Sequence, residues 1–268
     1  MKSIIRRFWP ALLLLAFCCV VPCSFAQVNV DVTSAGGFVR DGIYMSPYYA
    51  TIDSEKNVTI ICDDFADETY LNTSWKGTLT SFSNLASNLG STVWGSWLGS
   101  PAGGSVSAST IYTLYQEAAW LTESLLSLVP PTGTANQANY SFAEWAVFDP
   151  NGVLNWLKAH NDTAACQAVF GNNCTSIVAS AGSLLYASQQ NYGSGNYSNL
   201  AILTPLVNGK VCTPAISGRG NCPAQEFFAV VTAAEGGAAA LYLLLAAAVC
   251  FGAMYIRSSR PNAVNHTA

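Results

Sequence analysis

Gly236 to Ile256 is the stretch that most constrains this chain: 21 consecutive residues without a charge. At about 1.5 Å per residue, a helix of that length covers the roughly 30 Å of hydrocarbon in a bilayer. A core helix of a globular domain keeps a polar face, and this run has none. Arg257 and Arg260 close it, which by the positive-inside tendency puts the last residues in the cytoplasm. Everything before Glu235 is then predicted to lie outside. The opposite end agrees. Lys2, Arg6 and Arg7 form a basic head, Phe8 to Val21 an apolar run, and Ser24-Phe25-Ala26 the small residues that signal peptidase reads. The sequence therefore divides into a signal peptide 1–26 cut after Ala26, an exported domain 27–232, a membrane segment 233–260 and a cytoplasmic tail 261–268.

Charge and cysteine usage fit an exported body. Between Gln27 and Glu235 stand six basic residues against all 15 acidic ones, a net charge of −9. Nucleic acid is excluded as a partner, because phosphate binding needs a basic face. Outside the signal and the membrane segment the cysteines are Cys62, Cys166, Cys174, Cys212 and Cys222. An oxidising compartment favours disulfides. The local pairing Cys166–Cys174 and Cys212–Cys222 closes two short loops and leaves Cys62 over, although four cysteines allow three pairings.

Along the chain the pattern predicts an α+β fold, with strands from both ends of the mature chain around a central helical group. Val28 to Val32 alternates as a half-buried strand, and Gly36-Gly37 breaks it. Ile43 to Ile52 and Asn57 to Cys62 read as a hairpin. Asn72 to Pro101 takes no firm assignment, but its tryptophans, Trp75, Trp94 and Trp97, are expected against the body. Ser109 to Val129 is the clearest helix, with Ile111, Leu114, Tyr115, Ala118, Leu121, Leu125 and Leu128 on one side and Gln116, Glu117 and Glu123 on the other. Asn139 to Ala159 reads as two short helices. Ser141 and Glu144 form a capping box for the first, and Asp149-Pro150 begin the second. Thr175 to Gln190 is a third helical candidate. Leu200 to Val207 and Gln225 to Val231 are late strands.

Two resemblances follow from these residues. Glu235 and Gly236 in an acidic turn, the apolar span, and Arg257 and Arg260 behind it resemble the PEP-CTERM sorting tail of bacterial exported proteins. The family's Pro-Glu-Pro is here Ala234-Glu235-Gly236, and residues 261–268 run past its usual end. The resemblance implies an exosortase as a partner that recognises and cuts the tail; a plain single-pass anchor is the other reading. The body resembles, loosely, the thioester domains of bacterial surface proteins. Ile61-Cys62-Asp63-Asp64 matches the family's cysteine motif except for its aromatic residue. Gln116-Glu117-Ala118-Ala119-Trp120 fits the spacing of its glutamine motif. Ser141-Phe142-Ala143-Glu144-Trp145 fits its expected order but carries serine where the glutamine belongs. The resemblance implies a Cys62–Gln116 thioester that a partner's amine opens; the bland reading of Cys62 is a buried thiol or half of a disulfide.

Other chemistry is thinly supported. Asp63, Asp64 and Asp67 with Glu68 offer a weak calcium site; a solvated acidic loop is the plainer reading. His160 is the histidine that a hydrolase would have to use, and no nucleophile elbow surrounds a serine. At a helix end it is better read as a partner of the dipole. Glu117 and Glu144 form a remote glycosidase pair. The expectation is thus a non-enzymatic protein without cofactors, tethered to the membrane by its C-terminal helix. Its role is structural or adhesive, toward extracellular polysaccharide or a surface protein. A thioester adhesin and a His160 hydrolase stand as alternatives.

Overall fold

The computed structural model describes residues 27–100, 104–128, 134–171, 174–213 and 222–231, and beyond these only Ala246 and Val249. The signal segment with Ala26, and the tail residues Glu235, Gly236, Arg257 and Arg260, lie outside the described residues. Among the described residues no helix is long and apolar enough to cross a membrane.

The strands are β1 (Gln27–Ala35), β2 (Val39–Arg40), β3 (Ile43–Tyr44), β4 (Tyr48–Ile52), β5 (Glu55–Cys62), β6 (Ser74–Ser81), β7 (Leu200–Val207), β8 (Lys210–Val211) and β9 (Phe227–Val230). Six of them run in the order β6-β1-β4-β5-β9-β7, and β7 pairs back onto β6, so the sheet closes into a barrel. β8 extends β7, and β2 with β3 make a separate small hairpin. Strands from both ends of the body thus share one sheet, as expected, but they close on themselves beside the helices.

Alternation explains the two faces of the wall. Val28, Val30 and Val32 of β1, Ala50 and Ile52 of β4, and Ile60 and Cys62 of β5 point inward and are buried. Their neighbours Asn29 and Asp31 face outward. β7 and β9 are instead buried on both sides and read as continuous apolar runs, because helices cover them. Phe227 points into the barrel against Tyr48 (5.9 Å) and Trp75 (6.3 Å). Phe228 points out against Phe82 (6.4 Å) and Tyr115 (6.3 Å). Closure requires a glycine at position 77. A Cβ there would stand 2.8 Å from the Trp75 ring and 2.9 Å from the Thr204 carbonyl.

The helices are α1 (Val93–Leu98), α2 (Ala108–Ser127), α3 (Ala135–Phe148), α4 (Pro150–Ala159), α5 (Thr163–Phe170) and α6 (Leu184–Asn191). Each start is capped by a side-chain oxygen: Thr92, Ser107, Thr134, Asp149, Asp162 and Ser183. Trp94 stacks on Phe148 at 5.1 Å and Tyr115 packs on Phe148 at 4.9 Å, joining α1, α2 and α3. Cys166–Cys174 and Cys212–Cys222 are disulfides, each with Cα atoms 5.5 Å apart, and Cys62 is a buried free thiol. The local pairing is therefore the one formed. Loops this short stabilise by roughly 2–3 kcal/mol each.

Several expectations need correction. Ile43 to Ile52 is not one strand: Ile43–Tyr44 pairs with Val39–Arg40, and the hairpin partner of β5 begins at Tyr48. α3 begins at Ala135, so Ser141 and Glu144 are buried in mid-helix rather than at a capping box; Thr134 caps instead. The helix expected over Thr175 to Gln190 begins only at Leu184, as α6, and α5 (Thr163–Phe170) forms where no helix was expected. Glu117 is buried, although the helical pattern had placed it on the polar side.

Candidate functional site

β5 ends at Cys62, paired with Phe227 of β9. The next step of the ladder is the Asp63 N–H donating to the Glu226 carbonyl at 3.3 Å. Successive residues of a strand alternate sides, so Cys62 stays within the barrel while Asp63 and Glu226 meet the helical layer. There the Glu226 carboxylate accepts three hydrogen bonds: from the Val93 N–H at 2.6 Å, the Tyr115 hydroxyl at 2.5 Å and the Thr204 hydroxyl at 2.7 Å. One side chain thus ties β9 to α1, α2 and β7.

Glu226 is one of four fully buried acids here, with Asp63, Asp64 and Glu144. Burial pushes Glu226 up to about 7 against the pull of its three donors. Asp63 is raised well above the usual carboxylate range by burial, then by the neighbouring charges of Glu226, Asp64 and Glu144. Among the described residues neither of its oxygens has a hydrogen-bond partner. Asp64 is raised by burial and by Asp67, although its Oδ1 accepts from the N–H groups of Ala66 (2.8 Å) and Asp67 (3.4 Å). Glu144 accepts from the Thr122 hydroxyl and is raised by burial. Unpaired charged carboxylates are costly in an apolar interior. Burial and mutual repulsion push these acids toward their protonated forms, and the burial of Asp63, Asp64 and Asp67 overturns the solvated acidic loop. Of that loop only Glu68 is exposed. Among the described residues no group of His, Cys, Asp and Glu is arranged to hold a metal ion, Asp63, Asp64 and Asp67 included.

Cys62 sits behind this cluster. Its N–H donates to Ser46 Oγ (3.1 Å) and its thiol to the Asp64 carbonyl (3.2 Å). Burial and the charges of Asp64 and Asp63 push the thiol well up, so it stays protonated. A protonated thiol is a poor nucleophile. The Trp145 indole lies beside the sulfur. Ser46 extends the network, because its N–H donates to Ser141 Oγ (3.1 Å) and its carbonyl accepts from Gln137 Nε2 (2.5 Å). The structure thus gathers Cys62 with Trp145, and through Ser46 with Ser141. Gln116 is half-buried on α2 and has no hydrogen bond to Cys62 among the described residues. His160 is exposed at the C-cap of α4, its Nδ1 2.9 Å from the Trp156 carbonyl and its ring 4.2 Å from the Trp156 ring.

On the outer side of Trp145 a cleft of about 620 Å³ opens. The β2–β3 hairpin contributes Gly42, Ile43 and Tyr44, the segment after β5 contributes Phe65 to Leu71, and Trp145 and Trp156 come from α3 and α4. Tyr48 and Gln225 complete it. Phe65 packs on Trp145 (5.2 Å) and against Trp156 (5.9 Å), fixing the aromatic wall. Gln225 is held by its N–H on Thr69 Oγ1 (2.8 Å) and its amide on the Asp64 carbonyl (2.5 Å). The hairpin is pinned by Arg40, whose Nε and Nη2 reach Asp162 at 2.5 and 2.7 Å. Sequence reasoning missed this cleft. Its aromatic residues are spread over β3, β4, α3, α4 and the segment after β5, and only their packing brings them together. No family model, curated protein or solved structure matches this chain.

Proposed function

We propose that the body is the ligand-holding part of an exported, membrane-tethered bacterial surface protein, structural or adhesive in role and without turnover. The observation that carries the reading is the cleft. Its volume lies in the range of ligand sites, its walls are aromatic, and its polar groups are few and fixed. The groups behind it favour binding over reaction: the Cys62 thiol is held protonated, and His160 is engaged with its own helix end. Two disulfides suit an oxidising exterior. The sorting-tail resemblance supplies the tether, and an exosortase is its proposed partner.

The test is retention of the host's extracellular polysaccharide, or of its surface-protein extract, by the full chain. Trp156→Ala is expected to abolish retention but, because its ring packs on Phe65 and His160, also to cost roughly 2–3 kcal/mol of stability; Tyr70→Ala, at a 64% exposed position, is expected to weaken retention with stability changed by less than about 1 kcal/mol. Retention unchanged in both variants would remove the cleft from the function.

A further inference from the structure

We infer that the β2–β3 hairpin is a hinged lid on the cleft, latched by Arg40. The inference rests on the cleft reading above and concerns access to that site. None of residues 37–44 is buried, whereas Met45, Ser46, Pro47 and Tyr48, next in the chain, all are. The hairpin thus buries little apolar surface of its own, which marks an element that opens more readily than the core. Its root is fixed. The Gly36 N–H donates to the Pro47 carbonyl (2.8 Å), the Met45 N–H to the Phe38 carbonyl (2.9 Å) and the Ser46 N–H to Ser141 Oγ (3.1 Å). Between that root and the hairpin stands Gly37, at a φ of +82° and with nothing within 4 Å of where a Cβ would be. A small residue with open space around it can take up the rotation of a hinge. Asp41 and Gly42, both at positive φ, close the hairpin in a tight turn, so it is built to move as one piece. Gly42, Ile43 and Tyr44 form one wall of the cleft. Close to the root, the Tyr48 hydroxyl donates to the Tyr44 carbonyl (2.6 Å). Further out, the Arg40 guanidinium donates to both Asp162 oxygens (2.5 and 2.7 Å) and to Asn139 (3.4 Å), with the Asp41 carboxyl beside Asp162. A two-pronged guanidinium contact is strong and directional, and it forms or breaks as a unit, which suits a latch.

The experiment compares the full chain in detergent with its Arg40→Ala and Arg40→Lys variants in two ways. One is hydrogen exchange. The other is the rate at which a water-soluble maleimide labels the thiol of an added Ala66→Cys change, read on that peptide by mass spectrometry. Ala66 is half-buried in the cleft wall, and Ser34→Cys, exposed on β1, serves as the control. Residues 38–45 of the native chain are expected to exchange faster than β5 and β9. Arg40→Ala should speed exchange of the hairpin and labelling at position 66 by about fivefold each, with β5, β9 and the control unchanged. Arg40→Lys keeps the charge without the fork and should fall between. A rise shared equally by hairpin and barrel overturns the inference, because Arg40 then only supports the fold. A hairpin that loosens without faster labelling also overturns it, because the cleft is then open regardless. Either failure leaves retention of host polysaccharide untouched, so the lid can fall while the binding reading stands. Unchanged retention in Trp156→Ala and Tyr70→Ala removes the binding reading and leaves the exchange result in place.

Discussion

Glu226→Gln keeps the shape of the side chain and removes its charge. In the native protein the folded carboxyl titrates at about 7, against an ordinary 4.5. Between those values the folded chain holds a proton that the unfolded chain has released. Stability from this group is therefore complete below pH 4.5 and is lost as pH rises through about 7. A shift of that size corresponds to on the order of 3 kcal/mol. Glutamine has no such term. Its oxygen can stand where Oε2 accepts from Val93 and Thr204, and its amide can face the Tyr115 oxygen. The Tyr115 hydroxyl must then stop donating and accept instead, which costs about 1 kcal/mol at any pH. The variant should therefore be about 1 kcal/mol less stable than the native chain in acid and roughly 2 kcal/mol more stable in mild alkali. Asp63 is raised in part by the Glu226 charge, so its share of the slope flattens too. Urea midpoints measured from acid to mildly alkaline pH give both curves. Parallel curves for the two proteins would refute the buried-acid account.

Further outcomes follow from single contacts. Asp162→Ala removes both the partner of Arg40 and the cap that accepts from Ala165 N–H at 3.0 Å. It should cost roughly 2–3 kcal/mol, more than Arg40→Ala at about 1, as read from thermal or urea unfolding. Gly77→Ala puts a Cβ against the Thr204 backbone where β6 meets β7. It should cost roughly 1–3 kcal/mol, and a midpoint like that of the native chain would show that closure does not depend on this contact. Cys62 should resist a thiol reagent in the native protein and react once unfolded, with intact mass showing no loss of ammonia. A native mass lighter by one ammonia would instead establish the thioester alternative.

The parts of the fold written in local periodicity were legible. β1, α2, the Asp149-Pro150 start of α4 and the buried Val153, Leu154 and Leu157 follow from alternation, helical spacing and capping chemistry. Barrel closure was not, because it pairs Gly77 with Pro205 and Leu79 with Leu203 across more than 120 residues. The buried acids defeated the ordinary rule that carboxylates face water. One signal was present: Glu144 is the only charge between Phe142 and Phe148, and a single acid in an apolar run marks a buried polar partner. Ser141 misled because serine followed three residues later by glutamate reads as a cap, whereas the true cap is Thr134, which accepts from Gln137 N–H. The cleft had no local signature at all.

The central claim is that this body is carried outside the cytosol and held there with its cleft open to the exterior. The most direct measurement is mass spectrometry of the protein released when protease is added to intact host cells. The account predicts that peptides of the body are shed, that the N-terminus begins at Gln27, and that Cys166–Cys174 and Cys212–Cys222 are intact disulfides. A protein that is untouched until the cells are broken, still begins at Met1 and carries reduced cysteines would contradict it.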